Sequence, residues 1–331
     1  MERREFLKIV TTGPFLIGLT AKSASPKQNP LKSATRDGKS RVVVARDPDV
    51  WRGKRLNEKR VGELLDKAMV AAFGVARPEE AWEGLFSRGE TVGIKVNCLA
   101  GRHMSTSQEL VWAIVERLKK VGVSARRIIV WDRLNKDLEK AGYKLRFYGP
   151  GVRVYGNDHA GYYPRLFVAG EVGSLVSNVA VKECDALIDV PILKDHGIVG
   201  VTIALKNYFG AIHNPNKYHN DIGDPYVADA NLIPPLRNKT RLIICDAFLA
   251  QCDGGPPFMP QWAWKYNGLL VSTDPVALDT VGWKIIEDRR KEVGLPSLKE
   301  AGREPTYIAT AADAAHRLGQ HDWSRIEMVE I

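Results

Sequence analysis

Beyond residue 40 the chain alternates two kinds of segment. Short β-branched and apolar runs at Arg41–Ala45, Thr91–Cys98, Arg127–Trp131, Ala186–Val190 and Leu242–Cys245 read as strands. Between them the apolar residues recur at helical spacing. In Asn57–Phe73 they fall at Val61, Leu64, Leu65, Ala68 and Ala72. Ser107–Val121 predicts a second helix, with Ser107 as its N-cap and Gly122 as its stop. Leu134–Ala141 predicts a third, ended by Gly142. Pro275–Arg290 predicts a fourth, with Asp274 as N-cap and Pro275 at the first position. Strands alternating with helices predict an α/β fold: a mainly parallel sheet with helices on both faces and a ligand site at the strands' C-terminal ends. Residues 41–331 are read as one such domain.

The N-terminus has a different pattern. Arg3-Arg4 is followed by Phe6, Leu7 and Lys8, then by an apolar run from Ile9 to Ala21, then by Ala21, Ser23, Ala24 and Ser25. A charged start, a short apolar middle and a small-residue exit make residues 1–25 a secretory signal. The run is too short for a membrane span, which needs about 20 apolar residues, so no stable span is expected after processing. The segment resembles twin-arginine signals, departing from them at Glu2, where they carry Ser or Thr. It implies the twin-arginine translocation machinery as a partner and a periplasmic or other extracytoplasmic destination. That route carries folded passengers, often with an inserted cofactor. No Cys follows the apolar run, which argues against a lipid anchor. Residues 26–40, rich in Lys, Ser, Pro and Asn, read as a linker.

Composition narrows the function less than the patterning does. The 331 residues are 44% hydrophobic and 26% charged, ordinary for a globular chain, with a formal charge of +9. Residues 1–25 hold four basic and two acidic side chains, so the remainder keeps an excess of seven. That excess is scattered, with no basic stripe interleaved with aromatics, which excludes nucleic acid as the expected partner. A mild positive field suits a small anionic ligand. Cys98, Cys184, Cys245 and Cys252 form no C-x-x-C pair. Cys245 and Cys252 are near enough in sequence to pair, but folding before export argues against reliance on a disulfide, and buried apolar roles are expected.

Candidate chemistry gathers where the strands end. One ends Lys95-Val96-Asn97-Cys98, with alternation placing Lys95 and Asn97 on one face. Others end Trp131-Asp132-Arg133, Leu193-Lys194-Asp195-His196 and Cys245-Asp246. A helical reading of Ile198–Ile212 would align Thr202, Lys206 and His213. A lysine in so apolar a run is expected to be buried or aimed at an anion. His196, His213 and His219, with Asp195 and Asp246 nearby, are candidate ligands of a transition metal, although their spacing matches no named zinc motif. Lys95, Lys194 and Lys206 converging would instead hold a carboxylate or phosphate, and a lysine of low pKa could act as a base or form a Schiff base. The aromatic stretch Asp253–Gly268 reads as a loop: a lid, an oligomer contact, or a segment packed back on its own domain.

The blocks Val190–His196 and Val201–Gly210 are similar to those of the DUF362 family, whose function is unknown. Gly93–Asn97, Ile244–Ala247 and Thr273–Asp279 resemble its other blocks, and the resemblance spans residues 41–320. It implies an α/β fold and a shared site near Lys95, Asn97, Lys194, His196, Lys206 and Asp246. Some relatives carry an iron–sulfur segment, but this chain lacks its cysteine run, so no cluster is carried over. The resulting expectation is an exported metal- or redox-cofactor enzyme acting on a small anionic substrate. Lys194, Lys206 and Asp246 would be catalytic, Lys95, Asn97 and Asn207 would bind substrate, and His196, His213 and His219 would bind metal. A non-catalytic anion- or metal-binding accessory protein is the alternative.

Overall fold

In the computed structural model the described residues are 38–331. The signal segment and most of the linker lie outside them. The apolar runs become the middle of one ten-stranded sheet. Its strands are β1 (Ser40–Arg46), β2 (Val92–Val96), β3 (Ile128–Asp132), β4 (Arg153–Gly156), β5 (Ala186–Val190), β6 (Ile192–His196), β7 (Gly200–Thr202), β8 (Thr240–Gln251), β9 (Ala263–Ser272) and β10 (Ile326–Glu330). The main order is β10-β1-β9-β8-β5-β2-β3-β4, with β6 pairing β8 and β7. Strands β8, β5, β2, β3 and β4 run parallel to one another, and β9 is antiparallel to both of its neighbours. The sheet is thus mainly parallel. Strands β2, β3 and β5 are buried along their whole length, as both-face coverage requires.

Helices α1 (Glu58–Phe73) and α2 (Gln108–Lys120) cover one face, packing Val61, Leu65, Leu110 and Ile114 against Val92, Ile94 and Ile188. Helix α3 (Pro275–Glu292) covers the other, joining Val276 and Val281 to Trp131 and Leu187. The Asn57 side chain accepts from the N–H groups of Lys59 and Arg60, and Asp274 from those of Val276 and Ala277, so each helix starts where its cap stands. No helix among the described residues is long and apolar enough to cross a membrane.

Two segments differ from the sequence reading. Ile198–Ile212 is not one helix. It forms β7, a short helix at Ala204–Asn207 and a 3-10 turn at Tyr208–Ala211. The β-branched residues pair with β6 as an antiparallel hairpin, and Asp279 of α3 accepts the N–H groups of Ala204 and Leu205. That buried cap comes from 75 residues away and fixes the start of the helix at Ala204. The aromatic stretch is loop only in its first part. From Ala263 it is strand β9, and Trp264 and Tyr266 pack half-buried against the core rather than forming a flat exposed loop.

Candidate functional site

Register builds the site. Lys95 of β2 stands opposite Asp189 of β5 on one side and Trp131 of β3 on the other. Alternation sends these side chains toward the face on which Ala204–Asn207 packs. Asn207 bridges them. Its Nδ2 donates to Asp189 Oδ1 (2.6 Å), while its Oδ1 accepts from Lys95 Nζ (3.3 Å) and Asn97 Nδ2 (3.1 Å). Lys95 also donates to Asp132 Oδ1 at 2.7 Å, a buried ion pair, and Asp132 Oδ2 accepts the Cys98 N–H. Gly210 passes directly over this pair. A Cβ there would lie 2.9 Å from Lys95 Nζ and 3.1 Å from Asp132 Oδ1, so the close approach requires glycine.

Above this base lies a cavity of about 110 Å³, lined among others by Asn97, Arg133, Lys194, His196, Thr202, Lys206 and His219. Lys194 is 1% exposed and Lys206 is 7% exposed. Lys194 Nζ donates to Asn97 Oδ1 (3.2 Å) and Pro256 O (3.4 Å). Lys206 Nζ lies 3.1 Å from His219 Nε2 and 4.0 Å from the centre of the Phe209 ring. Among the described residues neither lysine forms an ion pair, unlike Lys95. Burial without a counter-charge lowers both. Lys194 falls to about 8 despite Asp132 and Asp195. Lys206 falls to about 7, burial being reinforced by repulsion from Lys194 and Arg133.

The histidines here are neutral. His196 Nδ1 accepts the N–H groups of Ile198 and Val199, which assigns the ring proton to Nε2. Burial, with Lys206 and His219 nearby, lowers its pKa to about 2. His219 is also lowered, by burial and then by Lys206. Its Nδ1 faces Asn216 O at 3.3 Å, which leaves Nε2 as the acceptor toward Lys206. Thr202 Oγ1 lines the cavity, is buried and has no partner among the described residues.

Of the residues expected to form the site, the fold brings together Lys95, Asn97, Lys194, His196, Lys206, Asn207 and His219. It leaves out two. His213 is exposed and stacks edge-on against Tyr162 at 5.0 Å, because the 3-10 turn rotates it away from Lys206. Asp246 points to the opposite face, where it accepts from Ser107 N (2.7 Å), Ser107 Oγ (2.6 Å) and Phe248 N (3.1 Å) at the start of α2. Burial raises it to about 6. Asp195, also expected nearby, is turned away and held by Arg303, Gln251 and the Gly255 N–H. A three-histidine centre therefore does not form, and the described residues contain no group of three or more His, Cys, Asp or Glu side chains able to hold a metal. All four cysteines are free and buried, including Cys245 and Cys252.

Asp189 was missed. It is fully buried, burial pushes it up to about 7, and its Oδ2 has no partner among the described residues. The signal was present in sequence: an acid in the middle of the apolar run Ala186–Val190 must be held by something. A larger groove of about 1300 Å³ lies on the α2 side of the sheet, between Trp51, Arg102, Trp112 and Phe248. It is wide and open, and the buried carboxylate in its wall, Asp246, is already bonded by Ser107 and Phe248, while Glu58, Glu109 and Glu116 also line it. The smaller cavity, with unpaired buried lysines, is the stronger candidate despite its size.

No curated protein matches the chain. A solved crystal structure of a Thermotoga maritima protein is similar at 12% identity and a TM-score of 0.43, over 73% of this chain. The chain spans about 60% of the length of that protein. Residues 92–284, which include every cavity residue named above, match the model described as a domain of unknown function (DUF362), and the chain belongs to that family.

Proposed function

We propose that this protein binds a small anionic metabolite, a carboxylate or phosphate, in the Lys194–Lys206 cavity, and that binding is linked to proton uptake. One observation carries the reading: two buried lysines share one cavity and form no ion pair among the described residues, since of the carboxylates in its wall Asp132 is taken by Lys95 and Asp137 bonds neither lysine. Burying cationic groups without a counter-charge is costly, and it is relieved when a ligand supplies the charge. Arg133 adds a third cation at the cavity wall, while His196 Nε2–H and Thr202 Oγ–H supply neutral donors. The volume sets the size. At about 110 Å³ the cavity is smaller than the engineered cavity of about 150 Å³ that admits benzene. Phosphate or a two- or three-carbon acid fits, and a nucleotide does not.

An anion beside Lys206 and Lys194 raises the pKa of both, so binding draws protons from solution near neutral pH. Calorimetric titration with inorganic phosphate and with oxalate, at pH 6 and pH 8 in buffers of different ionisation enthalpy, tests this. One site, tighter at pH 6 and with proton uptake, is expected. Absence of binding by every small anion tried, or binding unaffected in a Lys194→Met/Lys206→Met variant, would refute it.

We also propose delivery to an extracytoplasmic compartment by the twin-arginine machinery, supported by Arg3-Arg4 and the apolar run behind them. Replacing both arginines with lysine should leave the precursor in the cytoplasm. Undiminished export would reject that route.

A further inference from the structure

The cavity holds more than an anion site needs. An anion wants charged donors, yet Lys206 faces the acceptor nitrogen of a neutral imidazole, His219 Nε2, at 3.1 Å. That contact places a proton acceptor within reach of the amine, which a site for an anion alone does not need. The ring of Phe209 walls Lys206 from one side and excludes water. A neutral N–H donor, His196 Nε2, and an unpartnered hydroxyl, Thr202 Oγ1, line the same small space. Lys194, bonded only to amide oxygens, remains to receive a carboxylate.

We propose that Lys206 Nζ forms an imine with the carbonyl carbon of a small 2-oxo acid whose carboxylate is held by Lys194, an inference that rests on the anion-binding reading above. The Nζ lone pair forms the N–C bond while the carbonyl π pair moves onto oxygen. His196 Nε2–H and Thr202 Oγ–H stabilise that developing oxyanion. The nitrogen proton passes to His219 Nε2 and from there to the oxygen, which gives a neutral carbinolamine. One proton from solvent then lets the hydroxyl leave as water while the nitrogen lone pair forms C=N, the nitrogen keeping its second hydrogen. Amine, carbonyl and one solvent proton thus give the protonated imine and water, with no oxidant, reductant or other co-reactant. Lys206 is the nucleophile, His219 the proton acceptor, and Lys194 a binding residue. Burial first, and then repulsion from Lys194 and Arg133, favours the neutral amine of Lys206 before substrate enters.

Borohydride reduction tests this on the intact protein. Purified protein is mixed with pyruvate or glyoxylate, reduced, and followed by intact mass and peptide mapping. Oxalate binding is measured in parallel by calorimetry. One reduced adduct per chain, mapped to Lys206 in the native protein, is expected. Its rate of formation should rise severalfold from pH 6 to pH 8 and fall at least tenfold in His219→Ala. Lys194→Met should raise the 2-oxo acid concentration needed. Oxalate binding without a trapped adduct overturns the imine and leaves the anion reading standing. Adducts spread over surface lysines, with none on Lys206, also overturn it. Failure of both oxalate and 2-oxo acids to bind sinks the anion reading and the imine with it.

Discussion

Replacing Lys206 with methionine should stabilise the protein at neutral pH. The unfolded chain holds this lysine protonated up to its ordinary value of 10.5, whereas the folded protein releases the proton at about 7. Because the folded-state pKa is lowered, the penalty is complete below about 7 and lifts as the pH rises toward 10.5. With about 1.4 kcal/mol for each tenfold step in proton affinity, folding forgoes about 4 kcal/mol at pH 7 and about 2 kcal/mol at pH 9. Methionine keeps the length and the contact with Phe209 and removes the titration. It also leaves His219 Nε2 without its partner, a loss of about 1 kcal/mol. The variant should therefore exceed the native protein by about 3 kcal/mol at pH 7 and by about 1 kcal/mol at pH 9. Urea unfolding of both proteins at the two pH values measures this, and taking the difference cancels the titrating groups that do not feel Lys206; His196 and His219, which do, are neutral in the folded protein at both pH values. A difference that does not shrink between pH 7 and pH 9, or a variant less stable at pH 7, refutes the reading of Lys206 as a buried and uncompensated amine.

Gly210→Ala should destabilise by about 1–3 kcal/mol, since the new methyl meets Lys95 and Asp132, which are buried and tied to each other. A change below about 0.5 kcal/mol in urea unfolding would show that this pair can yield. His213→Ala should leave anion affinity unchanged in calorimetric titration and lose only the ring contact with Tyr162, about 1 kcal/mol of stability. Lost anion binding in that variant would return His213 to the site.

The sequence by itself determined the fold class, the cap of α3, and most of the cavity. Apolar period sets strand against helix, and Asp274 ends a pattern locally, so both are legible without knowledge of distant contacts, whereas the expected cap Ser107 turns its hydroxyl to the distant Asp246. Lys95, Asn97, Lys194 and Lys206 were legible for the same reason: polar groups where apolar runs end must find a partner or a ligand. Tertiary structure decided the rest. Whether Ile198–Ile212 is helix or hairpin depends on Asp279, which sequence does not place beside Ala204. Asp246, read from sequence as a strand end, lies in the middle of β8, and strand phase sends it through the sheet to Ser107; a one-residue change of phase is enough to exchange the faces. His213 left the site because a 3-10 turn advances residues at a different angle from the helix assumed for it. The missing counter-charge of Lys194 and Lys206 is the clearest case. No spacing in the sequence records that Asp132 is taken by Lys95 and Asp195 by Arg303, and only the packed sheet leaves both lysines lining one cavity without an ion pair among the described residues.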